Sequence, residues 1–171
     1  TTLSAQGYQM DVVEQALCYP DIHFVFIGDG PLKAKIEKIK REKNLTNLQL
    51  LGEIPREIIP HYISSADCCL VPLKRSELFL GALPSKMFDC MACESPVILS
   101  VDGEARRVLD ESGGGIWVPP EDTRAMLDAI LKLKSSPDLC KKMGRSGREY
   151  VRKNYSRRQK ALELEKILME L

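Results

Sequence analysis

The sequence predicts an α/β fold: a doubly wound parallel sheet whose first strand is missing or truncated, followed by two C-terminal helices. Three observations predict it. Short apolar runs alternate with helical stretches almost from end to end. The runs are continuous, as in strands covered on both faces, and do not alternate polar with apolar. Four of them stop at glycine or proline (Gly28, Gly52, Pro72 and Pro119).

The elements follow in order. Thr1-Thr2-Leu3 reads as the stump of a first strand, and Tyr8 to Leu17 as a helix with Met10, Val13 and Leu17 at helical spacing. His23 to Ile27 is the first full strand. Pro31 to Lys43 is a helix with Leu32, Ile36 and Ile39 on one stripe and proline in its first turn. Its cations (Lys33, Lys35, Lys38, Lys40, Arg41, Lys43) are interspersed with that stripe and offset by Glu37 and Glu42, which reads as a solvated face. Leu48 to Leu51, Asp67 to Val71, Pro96 to Leu99 and Gly115 to Val118 are the remaining strands. Ile58 to Ile63, Pro84 to Cys93, Glu104 to Glu111 and Thr123 to Lys134 are the helices between and after them. Asp102 and Glu121-Asp122 place negative charge where two of these begin, as a cap does. Beyond Ser135-Ser136-Pro137, two helices follow with no strand between them, Pro137 to Asn154 and Ser156 to Leu171. Residues 1–171 thus form one domain, with an α/β core over 1–136 and a helical end over 137–171.

Composition narrows the function. The chain has 171 residues, 25 Lys plus Arg and 24 Asp plus Glu, a net charge of +1. Such balance does not suit a general nucleic-acid binder. No apolar run is long enough to cross a bilayer, and Thr1 to Gly7 is not a signal peptide. A cytoplasmic protein is expected, and the absent initiating methionine suggests a piece of a longer one. Six cysteines (Cys18, Cys68, Cys69, Cys90, Cys93, Cys140) are expected as reduced thiols. Cys90 and Cys93 have CxxC spacing, but no second pair or histidine completes a zinc site.

Ligands on doubly wound sheets bind beyond the C-terminal strand ends. Gly28-Asp29-Gly30-Pro31 lies there and opens a helix. It suits both a plain tight turn and a close approach to phosphate. The richest stretch runs from Gly81 to Cys93. Gly81, Ala82 and Leu83 lead into a helix whose first turn holds Pro84, Ser85 and Lys86. Free N–H groups there, with one ammonium, would form an anion seat. Lysine opposes the helix dipole at that end, and a bound anion would compensate. Asp89 shares a face with Ser85 and Lys86 and could accept two hydrogen bonds from a ribose diol. A local Lys86–Asp89 pair is the alternative.

These segments resemble a known family. FVFIGDGPL, LQLLGEIPREIIPHYISSADCCLVPL, GALPSKMFDCMACESPVILS, DGEARRVL and GGGIWVPPED follow, in order and spacing, the C-terminal, donor-binding half of a GT-B glycosyltransferase of the family 4 type. ALPSK resembles a branch that builds bacterial capsule, O-antigen and exopolysaccharide, often with amino or deoxy sugars. The resemblance implies a nucleotide-diphosphate sugar, UDP- or GDP-linked, as donor. It implies no metal or other cofactor and, usually, retention at the anomeric carbon. The family's ribose-binding carboxylate corresponds to Asp89, where glutamate is usual. Its partner glutamate falls on Gly81, so backbone amides of Gly81, Ala82 and Leu83 must serve the sugar. Glu77 is near but out of register. The family's phosphate-neutralising cations after the first strand have no counterpart in Thr1 to Gly7. Lys86 is expected to take that charge, with Lys74 or Arg75 as a second candidate.

Gly52, Glu53 and Ile54 form the expected base loop, though a mere turn accounts for them equally. Gly28, Asp29, Gly30, Arg75, Asp102 and Glu104 are further candidate donor contacts; for Asp102, helix capping is the simpler role. The acceptor, a saccharide or lipid-linked saccharide, and the acceptor-side catalytic groups would belong to an N-terminal half. The last helix would pack toward that half, and its apolar face would favour dimers of the isolated domain. Peripheral attachment to the inner membrane face is expected of the longer protein. Two other readings compete. A nucleotide-sugar 2-epimerase would need further acidic and histidine residues. A non-catalytic α/β module such as a receiver would need an acid ending its third strand, where Asp67 instead begins it.

Overall fold

The computed structural model describes residues 19–170. The expected first strand and first helix, the loop Thr1 to Gly7, and Cys18 lie outside that range. Five strands are present: β1 (Phe24–Ile27), β2 (Leu48–Leu51), β3 (Cys69–Pro72), β4 (Val97–Ser100) and β5 (Gly115–Trp117). The helices are α1 (Lys33–Glu42), α2 (Ile59–Ser65), α3 (Ser85–Ala92), α4 (Glu104–Ser112), α5 (Thr123–Lys134), α6 (Pro137–Asn154) and α7 (Arg157–Met169). A 3-10 turn at Glu77–Phe79, not expected from the sequence, precedes α3.

All strand pairings are parallel, and each is joined through at least one helix. Phe24 lies opposite Leu48, Cys69 opposite Val97, and Val97 opposite Gly115. The described strands form two hydrogen-bonded sheets, β1-β2 and β3-β4-β5, both parallel as expected. Among the described residues no strand joins β1 to β3.

β4 explains the layering. All four of its residues are buried, and successive side chains point to opposite faces. Ile98 enters a core with Phe24, Phe26, Ile36, Met126 and Leu133. Val97 and Leu99 enter a second with Met87, Met91, Val108 and Leu109. Helix α5 therefore covers one face, and α3 and α4 cover the other. Each such side chain stabilises the fold by roughly 1.5–3 kcal/mol. The first core spans both sheets, because Leu70 of β3 and Ile116 of β5 pack against it.

Local boundaries have physical causes. Helix α1 starts two residues later than expected, after a turn in which the Lys33 amide donates to the Gly30 carbonyl at 3.0 Å. Asp122 caps α5 by accepting from the Ala125 amide at 2.8 Å, as expected. Asp102 does not cap α4; Gly103 holds that position. The short Asp102 side chain accepts instead from the Gly103 amide at 3.2 Å and pairs with Arg106. β3 begins two residues later than expected, where the Cys69 amide reaches the Pro96 carbonyl at 2.8 Å. Buried Asn47 donates to the carbonyls of Tyr19 and Ile22, tying the entry to β1 against β2.

Helix α6 packs on the turn after α3. A β-carbon on Gly144 would stand 2.0 Å from the Glu94 carbonyl oxygen, so only glycine permits this approach. Helix α7 has no buried residue; Leu164, Ile167 and Leu168 are more than half exposed. No helix among the described residues is long and apolar enough to cross a membrane.

Candidate functional site

Because the strands run parallel within each sheet, the loops after β1 and β2 emerge at one edge of the first sheet, and those after β3 and β4 at one edge of the second. Backbone contacts tie them in pairs. The Gly28 amide, at φ 115°, donates to the carbonyls of both Leu51 and Gly52 at 3.1 Å. This joins Gly28-Asp29-Gly30 to Gly52-Glu53-Ile54. In the second pair, the Glu104 amide donates to the Leu80 carbonyl at 2.8 Å. Gly103, at φ 78°, allows that contact, because a β-carbon there would lie 2.0 Å from the same oxygen.

The second pair leads into α3. Pro84 is extended and begins the helix without a side-chain cap or an acidic residue in the first turn. Ser85 is exposed at the first helical position, and Asp89 is exposed one turn on, so they share a face. Lys86 is half-buried, and desolvation pushes its ammonium below the ordinary lysine range. An anion at this helix start would gain from the dipole, the first-turn amides and an ammonium short of solvent.

The loop before α3 is apolar: Leu78, Leu80 and Leu83 are exposed, with Gly81 and Ala82 between. Glu77 opens the 3-10 turn, away from position 81. Lys74 and Arg75 are exposed just after β3.

Asp102 and Glu104 sit at the same edge but are engaged by arginines. Asp102 is 3.3 Å from Arg106, whose guanidinium also stacks 3.7 Å from the Trp117 ring centroid. Glu104 accepts from Arg107 at 2.7 and 3.1 Å. The Trp117 indole donates to the Val101 carbonyl at 3.0 Å, steadying the turn between β4 and α4.

Lys33 corrects an expectation. It is only partly solvated: its side chain is 29% exposed, pairs with Asp29 at 2.6 Å, and reaches 3.8 Å from where a Gly52 β-carbon would be. Asp29 and, more weakly, Glu37 and Glu53 raise its affinity for a proton. A cation thus stands between the first two loops. The i,i+4 spacing of Asp29 and Lys33 was the signal that could have revealed it.

The cysteines are free thiols among the described residues, and no three His, Cys, Asp or Glu side chains converge there to hold a metal ion. Cys69, on β3, places its Sγ 3.3 Å from Ser95 Oγ.

Comparison with known proteins decides the family. The model of the glycosyl transferases group 1 matches residues 10–150. The chain belongs to that family. Alpha-D-kanosaminyltransferase of Streptomyces kanamyceticus is 28% identical over 137 residues, 80% of this chain and 34% of that protein. Amylovoran biosynthesis glycosyltransferase AmsK of Erwinia amylovora is 28% identical over 120 residues, 69% of this chain and 28% of that protein. The chain therefore spans about a third of the curated relatives it matches. The crystal structure of Anabaena HepE in complex with UDP-glucose superposes with a TM-score of 0.80. It is 15% identical, with 96% of this chain and 45% of that one covered, so the likeness shows a shared GT-B fold.

Proposed function

We propose that this chain is the donor-binding part of a transferase that moves a sugar from a nucleoside diphosphate, without a metal, to a growing bacterial polysaccharide. The carrying observation is the uncapped start of α3, with half-buried Lys86 in its first turn and exposed Asp89 one turn on. In this reading the diphosphate sits on the first-turn amides, Ser85 and Lys86, with Gly81, Ala82 and Leu83 presenting backbone to the sugar. Asp89 accepts the ribose hydroxyls. The base lies at Gly52, Glu53 and Ile54, beside Lys33.

The chemistry follows from charge. Breaking the bond between the sugar and the diphosphate loads negative charge onto the leaving group. Fixed N–H dipoles and a lysine in a partly water-free seat stabilise that charge with little reorganisation. They do so without a divalent ion. Retention at the anomeric carbon, an amino or deoxy sugar, and a saccharide or lipid-linked acceptor held by another part of the protein complete the proposal. A relative named for kanosaminyl transfer and one named for amylovoran biosynthesis support the sugar and polymer classes. Work at the cytoplasmic face of the membrane belongs to the same reading.

Calorimetric titration with UDP and GDP, with and without Mg²⁺, tests it. One nucleotide should bind equally well in both conditions, and Asp89→Ala should abolish binding. Lys86→Ala should weaken the nucleoside diphosphate far more than the bare nucleoside. Equal losses for the two would overturn the seat, and Mg²⁺-dependent binding would overturn the mechanism.

A further inference from the structure

We propose that Lys33 is a specificity-determining residue: its ammonium reads the keto oxygen of the donor's nucleobase, admitting uracil or guanine and rejecting cytosine or adenine. The inference deepens the donor reading above and rests on it.

The space over Gly52 is the first observation. Among the described residues, a β-carbon built there would meet a single atom within 4 Å, Lys33 Nζ at 3.8 Å. The Gly52 α-carbon thus faces open space with one cation at its border. Bare backbone lets a flat ring approach where a side chain would stand in the way. Both partners are held in place. The Gly28 amide donates to the Gly52 carbonyl at 3.1 Å. Lys33 opens helix α1, and Asp29 accepts from its Nζ at 2.6 Å. Asp29 is its one hydrogen-bond partner among the described residues. An ammonium carries three N–H donors and no acceptor, so donors remain for a group lying on Gly52.

The donor set decides which bases fit. Uracil and guanine carry a keto oxygen beside a ring N–H. Cytosine and adenine carry an amine beside a bare ring nitrogen. Lys33 donates to the keto oxygen and has nothing with which to accept from the amine. An amine there sets N–H against N–H and leaves the cation's donors unpaired after the ligand has displaced water. Glu53, exposed and next in the chain, offers an acceptor for the ring N–H. Gly52 follows a strand of the first sheet, whereas Asp89 lies on α3, which packs on the core of the second. With the ribose at Asp89, the base edge remote from the ribose is the one that reaches Lys33. That edge carries the keto group or the amine.

Calorimetric titration of the chain with UDP, CDP, GDP and ADP tests it. UDP should bind about tenfold or more tighter than CDP, or GDP than ADP by the same margin. Lys33→Ala should weaken UDP about fivefold and leave CDP nearly unchanged, so that their ratio falls to about twofold. Equal losses for UDP and CDP would place Lys33 on the shared diphosphate and overturn the proposal. Equal affinity for keto and amino nucleotides in the unaltered chain would overturn it too. Gly52→Ala is the second variant. Its methyl makes ordinary contact with Lys33, and Gly52 is not in the left-handed region, so Tm should hold. The methyl fills the base's place, so all four nucleotides should weaken about tenfold; unchanged affinity would move the base off Gly52 and overturn the proposal. A chain that binds none of the four overturns the donor reading and this inference with it. Binding that is lost in Asp89→Ala but indifferent to Lys33→Ala overturns this inference alone.

Discussion

Gly103 approaches Leu80 so closely that a β-carbon on it would lie 2.0 Å from the Leu80 carbonyl oxygen. The contact clamps the loop before α3 onto the start of α4, where the Glu104 amide completes it. Gly103→Ala meets both a positive φ and this clash. It should cost about 1–3 kcal/mol from the backbone strain alone. For a chain of this size that lowers Tm by several degrees. Because the displaced loop carries Gly81 and Ala82, nucleotide affinity should fall as well. Thermal melts and calorimetry on the same sample check both effects.

Lys86 makes donor binding depend on pH. Burial holds its folded pKa below the usual lysine value, and the charged form attracts a diphosphate. Affinity for UDP should therefore hold at neutral pH and fall as pH rises through that depressed pKa, earlier than an ordinary lysine would dictate. A bound anion should raise the same pKa, so binding near it takes up protons. Titrations in buffers of different ionisation enthalpy measure that uptake. Lys86→Arg should flatten the alkaline fall, because arginine stays charged throughout.

Lys33 should matter to the ligand more than to the fold. Its pair with Asp29 is largely exposed, and such pairs add little to stability. Lys33→Ala should leave Tm almost unchanged. It should weaken UDP binding roughly fivefold in Kd, because a cation is lost beside Gly52. Lys35→Ala, an exposed lysine on the same helix, is the control and should change neither.

Two glycines of α6 should respond differently to alanine. At Gly144 the new methyl would meet the Glu94 backbone oxygen at 2.0 Å, which no side-chain rotation relieves. Gly144→Ala should destabilise by about 3 kcal/mol or more despite the better helix propensity. At Gly147 the nearest atoms are the Gly114 α-carbon and Met91 Cγ, both at 3.2 Å. Methionine yields, so Gly147→Ala should cost clearly less. Urea titrations of the two variants give the order.

Much of the architecture was legible in the chain. Val97, Ile98 and Leu99 are apolar in succession because β4 is covered on both faces. Ser85, Lys86 and Asp89 stood out because helix start and helix period are local properties. Lys33 was misread because a lysine among lysines looks solvated until its loop is seen to fold beside Gly52. The clamp at Gly103 was hidden too, since Leu80 contributes only its carbonyl and no side-chain pattern reports one.

The sequence by itself determined the element order, the parallel α/β class, the family and the helix start that makes the candidate seat. These rest on periodicity, punctuation and spacing, which act between neighbours in the chain. Only the tertiary structure decided that the described strands pair as β1-β2 and β3-β4-β5 and that Lys33 stands beside Gly52. Each depends on which distant segments pack together. That choice is set by the summed burial of side chains such as Ile98, Leu70 and Ile116, and no single stretch of sequence encodes it.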